Sequence, residues 1–235
     1  MVSLHKLFRI GLAFRLGLAV VGLAAIGSAS LAKSGSAQTP DPSLLGLEPM
    51  WDFFRREAED RRAGGNGGPR VPGQCEITIA NHQLVWDRNP AFVWTGLQTI
   101  GLQRPAQASF WDKTATETSL DGVYRVVYSE DPLAPGLYEV VFSSPLLASN
   151  IVRSFEVMDN DTHAQIAAEL EDLEDSLAAE NADAETSALA RADFFAGKNL
   201  ASDALQELFT VAEPSPAMQQ RQAEVVEMFC SDEQP

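Results

Sequence analysis

The spacing of the apolar residues changes once along this chain, at Asp159, and that change limits the fold more than any other feature. Before it, short runs rich in Val, Phe, Tyr and Trp are broken by turn residues. They predict strands at 75–80, 83–86, 91–96, 98–102, 106–112, 122–128, 137–143 and 150–158. Alternation places Phe92 with Trp94 on one face, Tyr124 with Val126 and Tyr128, and Tyr138 with Val140 and Phe142. Pro135-Gly136 suits a type II turn, with Gly at the position that needs a positive φ. After Asp159 the period becomes helical. Ile166, Leu170, Leu173 and Leu177 share one face, and Asp159 or Asp161 can cap its start. Further helices are predicted over 184–197, 200–212 and from Pro216 to Cys230. The expected fold class is all-β followed by all-α, a β-sandwich over 73–158 and a helical domain over 159–235.

The first 37 residues read as an export signal. Lys6, Arg9 and Arg15 precede an uncharged run from Leu16 to Ala32, and small residues follow. Cleavage after Ala37 or after Ala32 fits, the first leaving a polar, turn-prone start at Gln38. The rival reading is an uncleaved anchor, for which the run is short of the ~20 apolar residues of a span. The expected location is therefore the periplasm or the medium, with a membrane contact only if the signal is kept.

Removing that segment takes away Lys6, Arg9, Arg15 and Lys33 but no acid, so the net charge moves from −16 to −20. Such acidity excludes nucleic acid as a partner, since phosphates need a basic surface. It disfavours anionic lipid for the same reason. The hydrophobic content of 45% belongs to a folded chain with a charged surface. Two cysteines, Cys75 and Cys230, bracket the folded region. In an oxidising compartment such a pair is expected to bond; two unpaired buried thiols, or a mixed pair with another chain, are the alternatives.

Residues 38–72 read as a flexible lead-in, with five prolines and the tract Gly64-Gly65-Asn66-Gly67-Gly68. Within it, Met50, Trp51, Phe53 and Phe54 allow a short amphipathic helix that also carries Arg55, Arg56, Arg61 and Arg62. This one basic spot of the mature protein could dock onto the acidic remainder; a partly ordered tail is the plainer expectation.

No reaction is written in the sequence. His82 and His163 stand in no metal-ligand spacing, no Gly-x-Ser-x-Gly elbow marks a nucleophile, and there is no phosphate loop. A calcium loop begun at Asp159 would need Gly sixth and Glu twelfth, where the chain has Ala164 and Leu170. No catalytic residue, metal or cofactor is therefore expected. Trp86, Trp94 and Trp111 would form a sugar-stacking platform if exposed, or core if not.

Two segments carry resemblances. Leu133-Ala134-Pro135-Gly136-Leu137-Tyr138 resembles the turn and strand of immunoglobulin-like and fibronectin-type sandwiches, whose Tyr holds a corner, and Asn89 to Trp94 resembles their core-Trp strand. Ala192, Phe195, Ala204, Leu208 and Pro216 are similar in spacing to one tetratricopeptide hairpin, with Ala188 and Asn199 as departures. In organisation, residues ~70–232 resemble a family of cyanobacterial envelope proteins in which a sandwich precedes a helical tail, and to which no activity is assigned.

These readings imply a non-catalytic extracytoplasmic module that binds a protein partner, with a carbohydrate-binding module and a hydrolase as alternatives. Ten acids and no Lys or Arg lie between Asp159 and Glu185. The expected binding surface is Glu171, Asp172, Glu174 and Asp175 together with Phe194 and Asn199. It would take a basic or amphipathic segment of an envelope protein.

Overall fold

The computed structural model describes residues 48–63, 73–144 and 150–231. The signal segment assigned to 1–37 lies outside them. They form an α+β fold with two sheets, five helices and no closed barrel.

Helix α1 (Glu48–Ala63) comes first. Strands β1 (Cys75–Glu76), β3 (Ala91–Thr95), β7 (Val123–Val127) and β6 (Thr116–Glu117) make sheet A in the order β1-β3-β7-β6. Strands β2 (Gln83–Val85), β9 (Ile151–Val157), β8 (Gly136–Ser143), β4 (Thr99–Gln103) and β5 (Trp111–Thr114) make sheet B in the order β2-β9-β8-β4-β5. All pairs are antiparallel except β2 with β9. Helices α2 (Asn160–Glu180), α3 (Ala184–Gly197), α4 (Ala201–Thr210) and α5 (Pro216–Cys230) follow.

Strand β3 explains the arrangement. Phe92 and Trp94 point into a core shared with Ile100 and Leu102 of β4, Val140 and Phe142 of β8 and Phe155 of β9. Val93, on the opposite face, enters a second core with Ile77 and Val123 and with the helical residues Phe54, Phe195, Leu205, Leu208 and Val225. Sheet A is thus covered on both faces, by sheet B and by the helices. The helices bury their apolar faces on sheet A because four short helices cannot cover one another.

Two strand expectations also change. The run 75–80 stops being strand at Glu76, because Ile77 and Thr78 both donate to the Val93 carbonyl and the Thr78 hydroxyl takes over the ladder, bonding Ala91 O and Val93 N at 2.9 Å each. The run 106–112 is strand only from Trp111, because Ala106 adopts a positive φ of 57° and Gln107 N–H closes a turn on Arg104 O. The predicted turn at Pro135-Gly136 holds a Gly with φ 125°. Beyond it the Tyr138 hydroxyl donates to Ala134 O at 2.8 Å and accepts from Arg104 Nη2 at 2.7 Å.

The helix ends follow their caps. Asp159 accepts from Asp161 N–H and Thr162 N–H to start α2, Asn181 closes it in the left-handed region, and Asp183 caps α3. Ser215 with Pro216 opens α5.

The partly ordered tail expected before β1 is overturned over 48–63. Met50, Trp51, Phe54 and Ala58 are buried on α3 and α5. Arg61 inserts between this helix and the sheet: Nε binds Glu57 at 2.8 Å, Nη1 donates to Ile77 O at 2.8 Å, and the guanidinium lies 4.7 Å from the Phe229 ring centroid. Beside it Cys75 and Cys230 form a disulfide with Cα atoms 5.6 Å apart, fastening β1 to the end of α5.

Candidate functional site

A cleft of about 480 Å³ opens where α1, β2, the start of α2 and the α3–α4 turn meet. Leu84, Met158, Ile166 and Leu200 give it apolar walls, and Glu57, His82, Lys198 and Asn199 bring polar groups. Each polar group is positioned by its element. Glu57 Oε1 is held by Arg61 and by Gln83 Nε2 at 2.7 Å, and Gln83 Oε1 accepts Ala80 N–H at 3.0 Å, so α1 is hydrogen-bonded to the β2 turn. Asn199 takes φ 60°, which Asn tolerates, and this lets the chain reverse between α3 and α4. Lys198 pairs with Glu169 and sits 5.4 Å from the Phe194 ring centroid.

His82 also takes a positive φ, 62°, and its Nδ1 lies 3.2 Å from Ser154 Oγ. The neighbouring bonds fix the proton. Asn81 Oδ1 must be an acceptor, because Ser154 N–H donates to it at 3.0 Å. The Ser154 hydroxyl donates to the same oxygen at 2.9 Å, which leaves its lone pair for a His82 Nδ1–H donor. His82 is therefore not wired as a base toward Ser154. The three residues anchor the β2 turn to β9, helped by His82 N–H on Ser154 O at 2.7 Å.

Behind the cleft lies a buried polar junction. The Asp203 carboxylate, 2% exposed, accepts Trp86 N–H at 3.0 and 3.2 Å and Asp87 N–H at 2.8 Å. Gln206, one turn on, accepts Ala91 N–H. The two N–H donors favour the ionised form, yet burial outweighs them and pushes the Asp203 carboxyl up to about 7. Burial also raises Asp87 and Glu207. Trp86 stacks on His163 with ring centroids 4.8 Å apart and donates to His163 O at 3.2 Å. Burial, then the Arg88 guanidinium, lowers His163. Arg191 of α3 spans Glu207 at 2.7 Å and Glu174 at 3.3 Å.

The expected binding residues do not gather in one place. Glu171, Asp172 and Asp175 are exposed on α2 and have no ion pair among the described residues. Glu174 is held by Arg191. Asn199 lines the cleft, whereas Phe194 packs edge-on against Phe195 at 5.3 Å beneath Lys198. The three tryptophans are packed rather than presented together: Trp94 is 0% and Trp111 5% exposed, and Trp86 lies against His163 and Phe195. Among the described residues no group of three His, Cys, Asp or Glu is placed to hold a metal ion, and no helix is long and apolar enough to cross a membrane.

Sequence reasoning missed Asp203, Gln206 and the Glu57–Gln83 link. The one available signal was the apolar run Ala91-Phe92-Val93-Trp94, which marks a strand buried on both faces. The chain matches no family model and no curated protein.

Proposed function

We propose that this chain is a non-catalytic, extracytoplasmic protein-binding or scaffold module of the cell envelope. The observation that carries this reading is the uncompensated acidity of α2. Glu171 and Asp175 are one turn apart with like charge, and Glu180 lies at the helix end where the dipole is already negative. Each arrangement costs α2 a few tenths of a kcal/mol. A basic segment of a partner would relieve both. The disulfide supports an oxidising compartment.

Within this reading the two-sheet unit is a variant of the immunoglobulin-like or fibronectin-like sandwich, supported by the buried Trp94 and by the Tyr138 hydroxyl bond to Ala134 O upstream. Helices α3 and α4 are a single tetratricopeptide-like hairpin, supported by the buried Ala192, Phe195, Ala204 and Leu208 at their contact.

The test reverses Glu171, Asp172 and Asp175 to Lys, leaving Glu174 to its bond with Arg191. Helical content and melting should be retained, and salt-sensitive capture of envelope proteins should weaken. A folded variant that captures the same partners equally well at low salt refutes the assignment of binding to α2.

A further inference from the structure

Sheet A is covered on both faces, whereas no described helix or strand packs over β8 and β9 on the outer face of sheet B; Leu84, at the β2 margin of that face, also walls the cleft. Three of the large exposed apolar side chains among the described residues stand on it: Leu84 at 43%, Leu137 at 46% and Val152 at 41%. The strand register fixes their layout. Leu84 of β2 and Leu137 of β8 both pair with Glu156 of β9, so one row across three strands reads Leu84, Glu156, Leu137. Val152 pairs with Val141 two rows along, and Ser154 with Glu139 lies between.

The charge on this face has one sign. Glu156 and Asp112 are exposed, Glu139 is half-buried, and Glu156 has no ion pair among the described residues. The basic residues of the same strands are turned off the face: Arg153 pairs with Glu76 of sheet A at 3.2 Å, and Lys113 with Glu130 at 4.0 Å. A second copy of this acidic chain would meet like charge here.

Adding a strand at the margins is opposed. Lys113 stands on the edge strand β5, and beyond β2 the Trp86 N–H is taken by Asp203. A partner must therefore lie across the face. Neighbouring strands are about 4.8 Å apart, which puts Leu84 and Leu137 about 9.5 Å apart with Glu156 midway. Seven residues of α-helix, just under two turns, advance about 10.5 Å.

We infer that the outer face of sheet B is a docking surface for a basic amphipathic helix. The helix lays apolar residues seven apart over Leu84 and Leu137 and a Lys or Arg between them over Glu156. This rests on the protein-binding reading but uses a face other than α2.

The experiment uses the chain from Gln38 with Glu171, Asp172 and Asp175 reversed to Lys, so that α2 does not attract the probe. The probe is an alanine-based helical peptide with Leu at i and i+7 and Lys at i+3 and i+4; the control peptide has Glu at the two Lys positions. Amide shift mapping should place the Lys peptide on β2, β8 and β9, with binding that weakens as salt rises. Leu137→Ser, at an exposed position, should weaken it about tenfold. Glu156→Lys should transfer the preference to the Glu peptide. The inference fails if the Lys peptide does not bind, if its shifts map elsewhere, or if Glu156→Lys leaves the preference unchanged. It fails too if the face is occupied instead by a second copy, seen as a concentration-dependent dimer that Leu137→Ser abolishes. None of these outcomes bears on capture through α2 by the unreversed chain, so the two readings can fail separately.

Discussion

The carboxylate of Asp203 closes on the backbone N–H of Trp86, a residue 117 positions earlier, and so joins α4 to the end of β2. Among the described residues no cation forms an ion pair with it. A buried charge held only by backbone dipoles makes the joint sensitive to pH.

Asp203 is raised from 3.8 to about 7 in the folded protein. Its contribution is fully present below the unfolded value near 4 and is lost as pH rises through about 7. Between pH 5.5 and pH 8 that loss is about 2 kcal/mol, at 1.36 kcal/mol per unit. Asp203→Asn should remove this slope, so its melting temperature should fall less than the parent's over the same interval. His163, lowered by burial, acts in the opposite sense below its unfolded value, but it is common to both proteins and cancels. Parallel slopes for the two proteins would rule out Asp203 as the titrating group.

Helix α1 should be part of the cooperative fold. Phe54 is fully buried between this helix and the rest, so Phe54→Ala should cost about 3–5 kcal/mol by urea unfolding. Phe53→Ala, at a partly exposed position beside it, should cost clearly less. Equal and small effects would mean that α1 detaches without loss.

The disulfide closes a separation of 155 residues. The chain-entropy relation gives about 5 kcal/mol for it as an upper figure. In the oxidised protein, Trp fluorescence, to which Trp94 and Trp111 of the strands contribute, and far-ultraviolet dichroism from the helices should report one transition. Cys75→Ser with Cys230→Ser should lower its midpoint strongly. Two alkylatable thiols in native material would contradict the bond.

At the far end of α2, Glu180→Lys should raise stability by about 0.3–1 kcal/mol, because a cation replaces an anion at the negative end of the helix dipole. The check is a melting curve at low and high salt, with the gain shrinking at high salt. A loss of stability would show that Glu180 is paired in solution.

Much of this was legible in order along the chain. The helix ends at Asp159, Gly197 and Pro216 were set by caps and breakers, which act over a few residues and leave a local mark. The strand run 91–96 was legible as well, but the meaning of its two apolar faces was not, because the covering helices are a hundred residues away. Asp203 and Gln206 sit at exposed-looking polar positions of an ordinary helical pattern, and their partners are backbone N–H groups that no side-chain pattern announces. Asn199 was placed at a turn and does line the cleft. Phe194 was expected beside it, and only the packing of Phe195 and Lys198 decides that it turns away. Docking of α1 was weighed on its charge and set behind a partly ordered tail, whereas the contacts that hold it are apolar, through Met50, Trp51 and Phe54, and Arg61 is held by a carbonyl of Ile77.

The Cys75–Cys230 bond also orders events in time. A chain made from its N-terminus presents Cys75 long before Cys230 exists, so β1 can be secured only when the last helix has been delivered. These are the chain's only cysteines, so a copy cut short before residue 230 has no intramolecular partner to offer. A molecule cut short before Cys230 is thereby marked by a bare thiol: the bond is a record that synthesis passed α5.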